Sequence, residues 1–336
     1  MPPSYSLIDQ TFREGEQQSG VRFSMAQRLE ILPLLEDFGF NLIEVGHPGI
    51  SPEIEQICRN TALAARKAKI MMHARATIAE VQAASRAQAD WVGIWASIND
   101  IALTTKFTNH ALSDVQAKIC AAIHEAKALG LKVRFTLEDA SRTPLTAINS
   151  AGRAALEAGA DRISLADTTG CWEPRRCGEM VAWAVSTFAC DIEVHLHNDL
   201  GLAHANALAA IDAGAAVIDT SVLGIGERSG IANSLELAVS LHHLRGDKRL
   251  NLQKIPALAQ AVHRASGYTP DALRPIVGTN AFTHTSAYHV RAMTKNPEAY
   301  EAFPPQLVGR SRTIEQTTVT VQGMVKAADK MAPPDG

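Results

Sequence analysis

No two of the five cysteines, Cys58, Cys120, Cys171, Cys177 and Cys190, form a CxxC pair, and their spacing is irregular. An odd, irregular set argues against a disulfide framework and for free thiols in a reducing compartment. Met1 to Ser6 lack a basic stretch leading into an apolar run, so no signal peptide is expected. The sequence also contains no uninterrupted apolar run of the ~18 residues that a membrane span needs. The net charge is only -3, which gives no reason to expect a nucleic acid or a membrane as partner. A cytoplasmic location is the expectation. A GxGxxG turn after the first strand is missing too, which argues against an open doubly wound sheet.

What is present is a repeating unit. The chain has 336 residues, 46% hydrophobic and 20% charged, ordinary for a soluble globular protein. That length exceeds one hydrophobic core unless the core is a barrel of roughly 250 residues. Short β-rich runs recur at Tyr5–Asp9, Leu42–Val45, Lys69–His73, Trp91–Trp95, Lys132–Thr136, Arg162–Ala166, Ile192–His195 and Val217–Ser221. Amphipathic, Ala-rich stretches such as Met25–Phe38, Ser113–Leu129 and Thr143–Ala158 lie between them. Gly39, Gly130, Gly159 and Gly214 stand where helices would end. Strand, helix, strand at about 30 residues per unit predicts a parallel sheet. Eight such units predict an α/β fold, the closed (β/α)₈ TIM barrel.

Beyond residue 246 the pattern changes. Asp247–Asn251 is polar, Lys254–Ala265 reads as a short helix, and Pro270, Pro275, Pro297, Pro304 and Pro305 follow. The expected organisation is a catalytic barrel over 1–246, a small C-terminal helical lid subdomain over 247–325 and a frayed tail over 326–336.

In such a barrel the chemistry sits where the strands end. Those ends carry Asp9, Thr11, Arg13, Glu14, Glu16 and Gln17, then Glu44, His73, the trio Arg134, Thr136 and Glu138, then Asp167 and Thr168, and finally His195 and His197. Any one of these is readily a satisfied core or loop group. Their agreement at one end of one barrel points to a site. Residues two apart in a strand face the same side, so His195 and His197 can reach one ion. A carboxylate from across the barrel, Glu14 or Asp9, would complete an N₂O set that accepts zinc, manganese, cobalt or magnesium. Asn198 and Asp199 would orient the imidazoles. Arg13 beside the ion would polarise a ketone oxygen. Arg134 and His73 would bind an anion at the far end of a substrate, unless Arg134 merely pairs with Glu138 or Asp139.

The segments Asp9-x-Thr11-x-Arg13-Glu14-Gly15-Glu16-Gln17, Val133-Arg-Phe-Thr-Leu-Glu138-Asp139, Ala166-Asp-Thr168-Thr-Gly170, His195-x-His197-Asn198-Asp199 and Gly224-Ile-Gly226-Glu227-Arg228 span the barrel. Together they resemble the metal-dependent acyltransferases of the isopropylmalate synthase and homocitrate synthase group, related to hydroxymethylglutaryl-CoA lyase. Phe282-Thr-His284, His289, Asn296-Pro-Glu-Ala-Tyr300-Glu301 and Pro304-Pro305 are most similar to the homocitrate synthase subgroup. The resemblance implies a Claisen-type condensation of acetyl-CoA with an anionic 2-oxo acid. It implies that Glu14, His195 and His197 bind a divalent cation. Arg13, Gln17 and Thr168 would hold the oxo acid at the ion, and His73, Arg134 and Thr136 its distal acidic group. Glu138, His289 and Tyr300, with Arg13, would serve the chemistry. It also implies a homodimer in which the subdomain of one chain closes over the barrel of the other.

Three departures from that pattern stand out. Thr136 replaces the serine of many homocitrate synthases, Gly93 stands where lysine-pathway members carry Asp, and Ala74 and Ala76 flank His73. A reshaped pocket would suit 2-oxoglutarate or another anionic 2-oxo acid such as phosphonopyruvate. A carbon–carbon lyase is the reading from a different reaction class. Lyases of the related group rely on a glycine-flanked cysteine loop, and no such cysteine stands near the barrel mouth here.

Overall fold

The structure, a computed structural model, describes residues 5–108 and 111–315. Eight parallel strands close into a barrel in sequence order: β1 Ser6–Asp9, β2 Leu42–Glu44, β3 Lys69–Arg75, β4 Trp91–Ser97, β5 Lys132–Glu138, β6 Arg162–Asp167, β7 Asp191–Leu196 and β8 Val217–Thr220. The helices between them are α1 Met25–Phe38, α2 Pro52–Ala64, α3 Ile78–Arg86, α4 Asp100–Thr105, α5 Leu112–Ala128, α6 Leu145–Glu157, α7 Pro174–Thr187, α8 Ala203–Asp212 and α9 Ser234–Arg245. The predicted TIM barrel is therefore the observed fold.

Local chemistry explains where the helices start and stop. Ser24 and Gln27 form a reciprocal capping box at the start of α1, and Ser51 with Pro52 opens α2. Gly39, Gly130, Gly159 and Gly214 all adopt positive φ after their helices, a conformation that costs glycine little.

Alternation along the strands sorts side chains into two cores. Outward-facing residues such as Ile43, Val92, Phe135 and Val194 are fully buried against the helices. Inside, Ile8, Met71 and Val217 form a separate apolar plug at the N-terminal end of the barrel. The next inward-facing residues along the strands are charged: Glu44, Arg134, Glu193 and Asp219 are each at most 1% exposed. The histidines lie above this layer.

Two further α-helices follow among the described residues, α10 Ile255–Ser266 and α11 Ala287–Lys295. α10 packs on α1 with Leu258 and Val262 fully buried. α11 buries only Met293, and Tyr288 on it is 68% exposed. The tail over 326–336 and the end of the lid range lie outside the described residues. No helix among the described residues is long and apolar enough to cross a membrane, and all five cysteines are unpaired.

Candidate active site

A cavity of about 250 Å³ opens at the C-terminal mouth of the barrel. Its wall includes Arg13, Glu14, Gln17, His73, Arg134, Thr136, Glu138, Thr168, His195 and His197. The structure thus brings together ten of the twelve residues to which the resemblance assigns a role. His289 and Tyr300 do not line the cavity of their own chain. They stack on each other within the lid, ring centroids 3.9 Å apart.

Glu14, His195 and His197 offer ligand atoms that all lie within 4.8 Å of one another, and all three residues are buried. Nδ1 of His195 lies 3.0 Å from Asp219, which leaves Nε2 3.7 Å from the Glu14 carboxylate. Burial, with His197 alongside, pushes the His195 imidazole down to about 3, so the ring stays neutral as a metal ligand must. His197 Nδ1 is buried without any partner. A buried imidazole nitrogen without a partner, on a residue whose ligand atom lies within reach of those of Glu14 and His195, fits a cation better than an empty core. Glu14 is held from both sides: the Glu227 amide donates to Oε1 at 3.0 Å and Arg13 donates to Oε2 at 2.5 Å. Gly226 makes this approach possible, because a Cβ there would stand 2.9 Å from the Glu14 side chain.

The orienting partner of His195 is Asp219, not the residues expected from the HxHND run. Asp199 pairs with Arg228 at 2.7 Å, and Asn198 accepts from the Ala203 amide to start α8. Asp9 is also placed elsewhere. It faces away from the plug residue Ile8 and caps Thr11 through both amide and hydroxyl, while burial raises its carboxyl to about 7.

Below the histidines runs a ladder of alternating charge. Arg13 bonds Glu44 at 2.8 Å, and Arg134 joins Glu44 at 2.9 Å to Glu193 at 2.8 Å. Glu193 then meets Arg162 at 2.8 Å. Arg134 therefore pairs with neither Glu138 nor Asp139. β5 runs on to Glu138, so Arg134 sits mid-strand and its guanidinium lies deep in the barrel. The two arginines hold the Glu44 carboxyl well below its usual range despite its burial. Burial, with Asp219 adjoining, raises Glu193 to about 7.

The far wall of the cavity holds donors without partners. Thr136 Oγ1, Arg134 Nε and Trp95 Nε1 are buried and unsatisfied. His73 stacks on Trp95 at 5.8 Å and engages Glu44 through Nδ1 at 3.1 Å. Burial and nearby arginines push His73 to about 3, so it is neutral. Glu138 is clamped by Lys106, whose ammonium bonds both carboxylate oxygens at 2.7 Å. Lys106 and Asp219 were not singled out in the sequence, and Glu227 stood there only as part of the Gly224–Arg228 segment. The one available clue was an aspartate inside the apolar run Val217-Ile-Asp219.

A parallel barrel with a two-histidine, one-glutamate cluster at its mouth defines a class of sites suited to one divalent ion and a small anionic ligand. The family model described as HMGL-like matches residues 4–262, and that described as homocitrate synthase post-HMGL domain-like matches residues 276–327. A homocitrate synthase of Pyrococcus abyssi is 40% identical over 311 residues, covering 92% of this chain and 85% of the relative. One from Sulfurisphaera tokodaii is 38% identical and covers 91% and 67%. Among solved structures, the HMG-CoA lyase of Bacillus subtilis superposes with a TM-score of 0.70 at 19% identity, over 80% of this chain and 96% of that one. That of Brucella melitensis gives 0.68 at 19% identity, over 79% and 99%. These two likenesses speak to the fold alone. The chain belongs to the HMGL-like family, on its homocitrate synthase branch.

Proposed function

We propose that this protein is an acyltransferase that condenses acetyl-CoA with 2-oxoglutarate. The observation that carries the proposal is the Glu14–His195–His197 cluster beside Arg13, facing a wall of unpaired donors across one small cavity. Relatives named homocitrate synthase over nearly the whole chain support it. Glu14, His195 and His197 would hold a divalent cation, which supplies Lewis-acid polarisation of a ketone. Arg13 donates toward the same oxygen and balances the alkoxide that develops there. Gln17, already bonded to Arg13 at 3.0 Å, and Thr168 orient the oxo acid's carboxylate. Thr136, His73 and Arg134 receive its distal acid group. A base removes a proton from the acetyl methyl, the new carbon–carbon bond forms at the ketone carbon, and water releases the CoA thiol.

The base groups are divided between two places. Glu138 stands at the cavity under the control of Lys106, whereas His289 and Tyr300 stand on the lid. The exposed face of α11 supports a homodimer in which each lid closes over the partner's barrel. Because α10 packs against α1, the part of the lid that moves is best placed after Gly267, the C-cap of α10.

The test is thiol release from acetyl-CoA with a panel of 2-oxo acids. 2-Oxoglutarate is expected to react best. 2-Oxoisovalerate, whose apolar tail leaves the far-wall donors unpaired, should lose roughly 10²-fold in kcat/KM. Preference for phosphonopyruvate would overturn the choice of substrate, and acyl-CoA cleavage without condensation would overturn the reaction class.

Free lysine should not inhibit at micromolar concentration. An ε-ammonium in the distal subsite needs carboxylate partners. Gly93 supplies none, and both Glu193 oxygens are taken, by Arg134 and by Arg162. The ammonium would lie beside the Arg134 guanidinium, which already engages Glu44, Glu193 and Asp219, at a cost of several kcal/mol, roughly a thousandfold in affinity or more. A lysine titration at sub-saturating 2-oxoglutarate checks this, and half-inhibition at micromolar lysine would refute it.

A further inference from the structure

Gly93 has no backbone reason to be glycine. It lies mid-strand in β4, in register with Arg134 of β5, and does not adopt positive φ. Its reason is space. A Cβ built on Gly93 would stand 2.3 Å from Nη2 of Arg134, 2.9 Å from Cζ and 3.1 Å from Nε. Three guanidinium atoms this close mean that the planar group lies across the bare Cα. An added methyl there is far inside van der Waals contact, so either the strand or the guanidinium must move.

The guanidinium has little freedom to give way. It is held by Glu44 on one side and Glu193 on the other, carried by different strands, with Asp219 at 3.6 Å. Any swing that relieves residue 93 lengthens at least one of these bonds in a site only 1% exposed. Arg134 also lines the reaction cavity, and its Nε–H, like the Thr136 hydroxyl two residues on, lacks a partner. The seat of the guanidinium thus fixes both the floor of the cavity and the position of its unpaired Nε–H.

We propose that Gly93 is a positioning residue for the condensation. By lacking a side chain it seats Arg134 where the distal anion of the 2-oxo acid is received, and so determines which oxo acids bind. The inference rests on the assignment of the far wall as the distal subsite, and the test separates the two. Arg134→Ala is unsuitable because it would strand Glu44, Glu193 and Asp219 without a cation. Arg134→Lys keeps the charge but has no planar fork to lie across residue 93.

The experiment is a double-mutant cycle of Gly93→Ala and Arg134→Lys, read as KM for 2-oxoglutarate, KM for acetyl-CoA, kcat, bound metal per chain and thermal midpoint. Gly93→Ala alone should raise the oxo-acid KM roughly ten- to hundredfold, the scale of one misplaced charge-assisted contact. Acetyl-CoA KM and metal content should stay within about twofold, since the guanidinium pairs with Glu44, Glu193 and Asp219 and with none of Glu14, His195 and His197. In the Arg134→Lys background the same glycine change should alter the oxo-acid KM by less than about twofold. Arg134→Lys raising KM while Gly93→Ala leaves it unchanged would overturn the role of Gly93 and keep the distal subsite. An Arg134→Lys enzyme with normal oxo-acid KM would overturn the subsite itself. If Gly93→Ala alone fails to fold, a folded double variant still identifies the clash with Arg134, and an unfolded double variant refutes it.

Discussion

Stripping the protein of divalent metal is expected to cost about three to four powers of ten in condensation rate, since Lewis-acid catalysis supplies several kcal/mol and each 1.36 kcal/mol is tenfold. The same loss should follow His195→Ala or Glu14→Gln, for a reason visible in the geometry. Glu14 and the histidines each contribute one donor to a space in which every ligand atom is within 4.8 Å of the others. Removing one leaves two donors, too few to compete with chelator or water. The fold should survive, because these side chains crown the barrel and do not form its core. Metal analysis should give one ion per chain in the native protein and none in either variant. The thermal midpoint of the stripped protein should rise when metal is returned, as ligand linkage requires, and that shift should vanish in the variants. Full turnover after chelation, with no ion remaining, would remove the basis of the proposed chemistry.

The barrel was legible because its signals are local. Alternating apolar runs, capping residues and terminal glycines repeat within each unit, and every predicted strand overlaps an observed one. Strand ends were less legible. β3, β4 and β5 each run two residues beyond the predicted limit, to Arg75, Ser97 and Glu138. Inside a barrel mouth a strand can continue past its apolar run, as β5 does to Glu138 at the cavity wall. That shift is why Arg134, expected at the rim, lies in the buried ladder. The His195–His197 pair was readable from strand period alone. The partners that tune it were not: Asp219 is 24 residues from His195, and Glu44 is 90 residues from Arg134. Only closure of the barrel brings them together, so no spacing rule in the sequence announces them. Gly93 was visible as a departure from the family pattern, but its cause, the Arg134 guanidinium lying across it, exists only in three dimensions.

His289→Ala in the full-length chain should lower kcat by about 10²–10⁴, the range of a lost acid–base group, while metal content stays at one per chain. The full chain is required, since a cut at residue 246 would remove α10 and expose the face of α1 that Leu258 and Val262 cover. The stacking of His289 on Tyr300 brings together the two side chains proposed to handle the proton, so Tyr300→Phe should show a smaller loss in the same direction. The decisive measurement concerns which barrel this pair serves. His195→Ala chains have a defective barrel and an intact lid. His289→Ala chains have the reverse. Mixed, dissociated and reassociated in equal amounts, half of the dimers are heterodimers, and if lids act across the dimer one of the two sites in each is complete. Activity should then recover to about a quarter of the native value, although neither parent is active. If each lid serves its own barrel, every site in the heterodimer lacks either its metal ligands or its histidine, and mixing restores nothing. A monomeric native protein in solution, or a mixture as inactive as its parents, would rule out exchange of the lids.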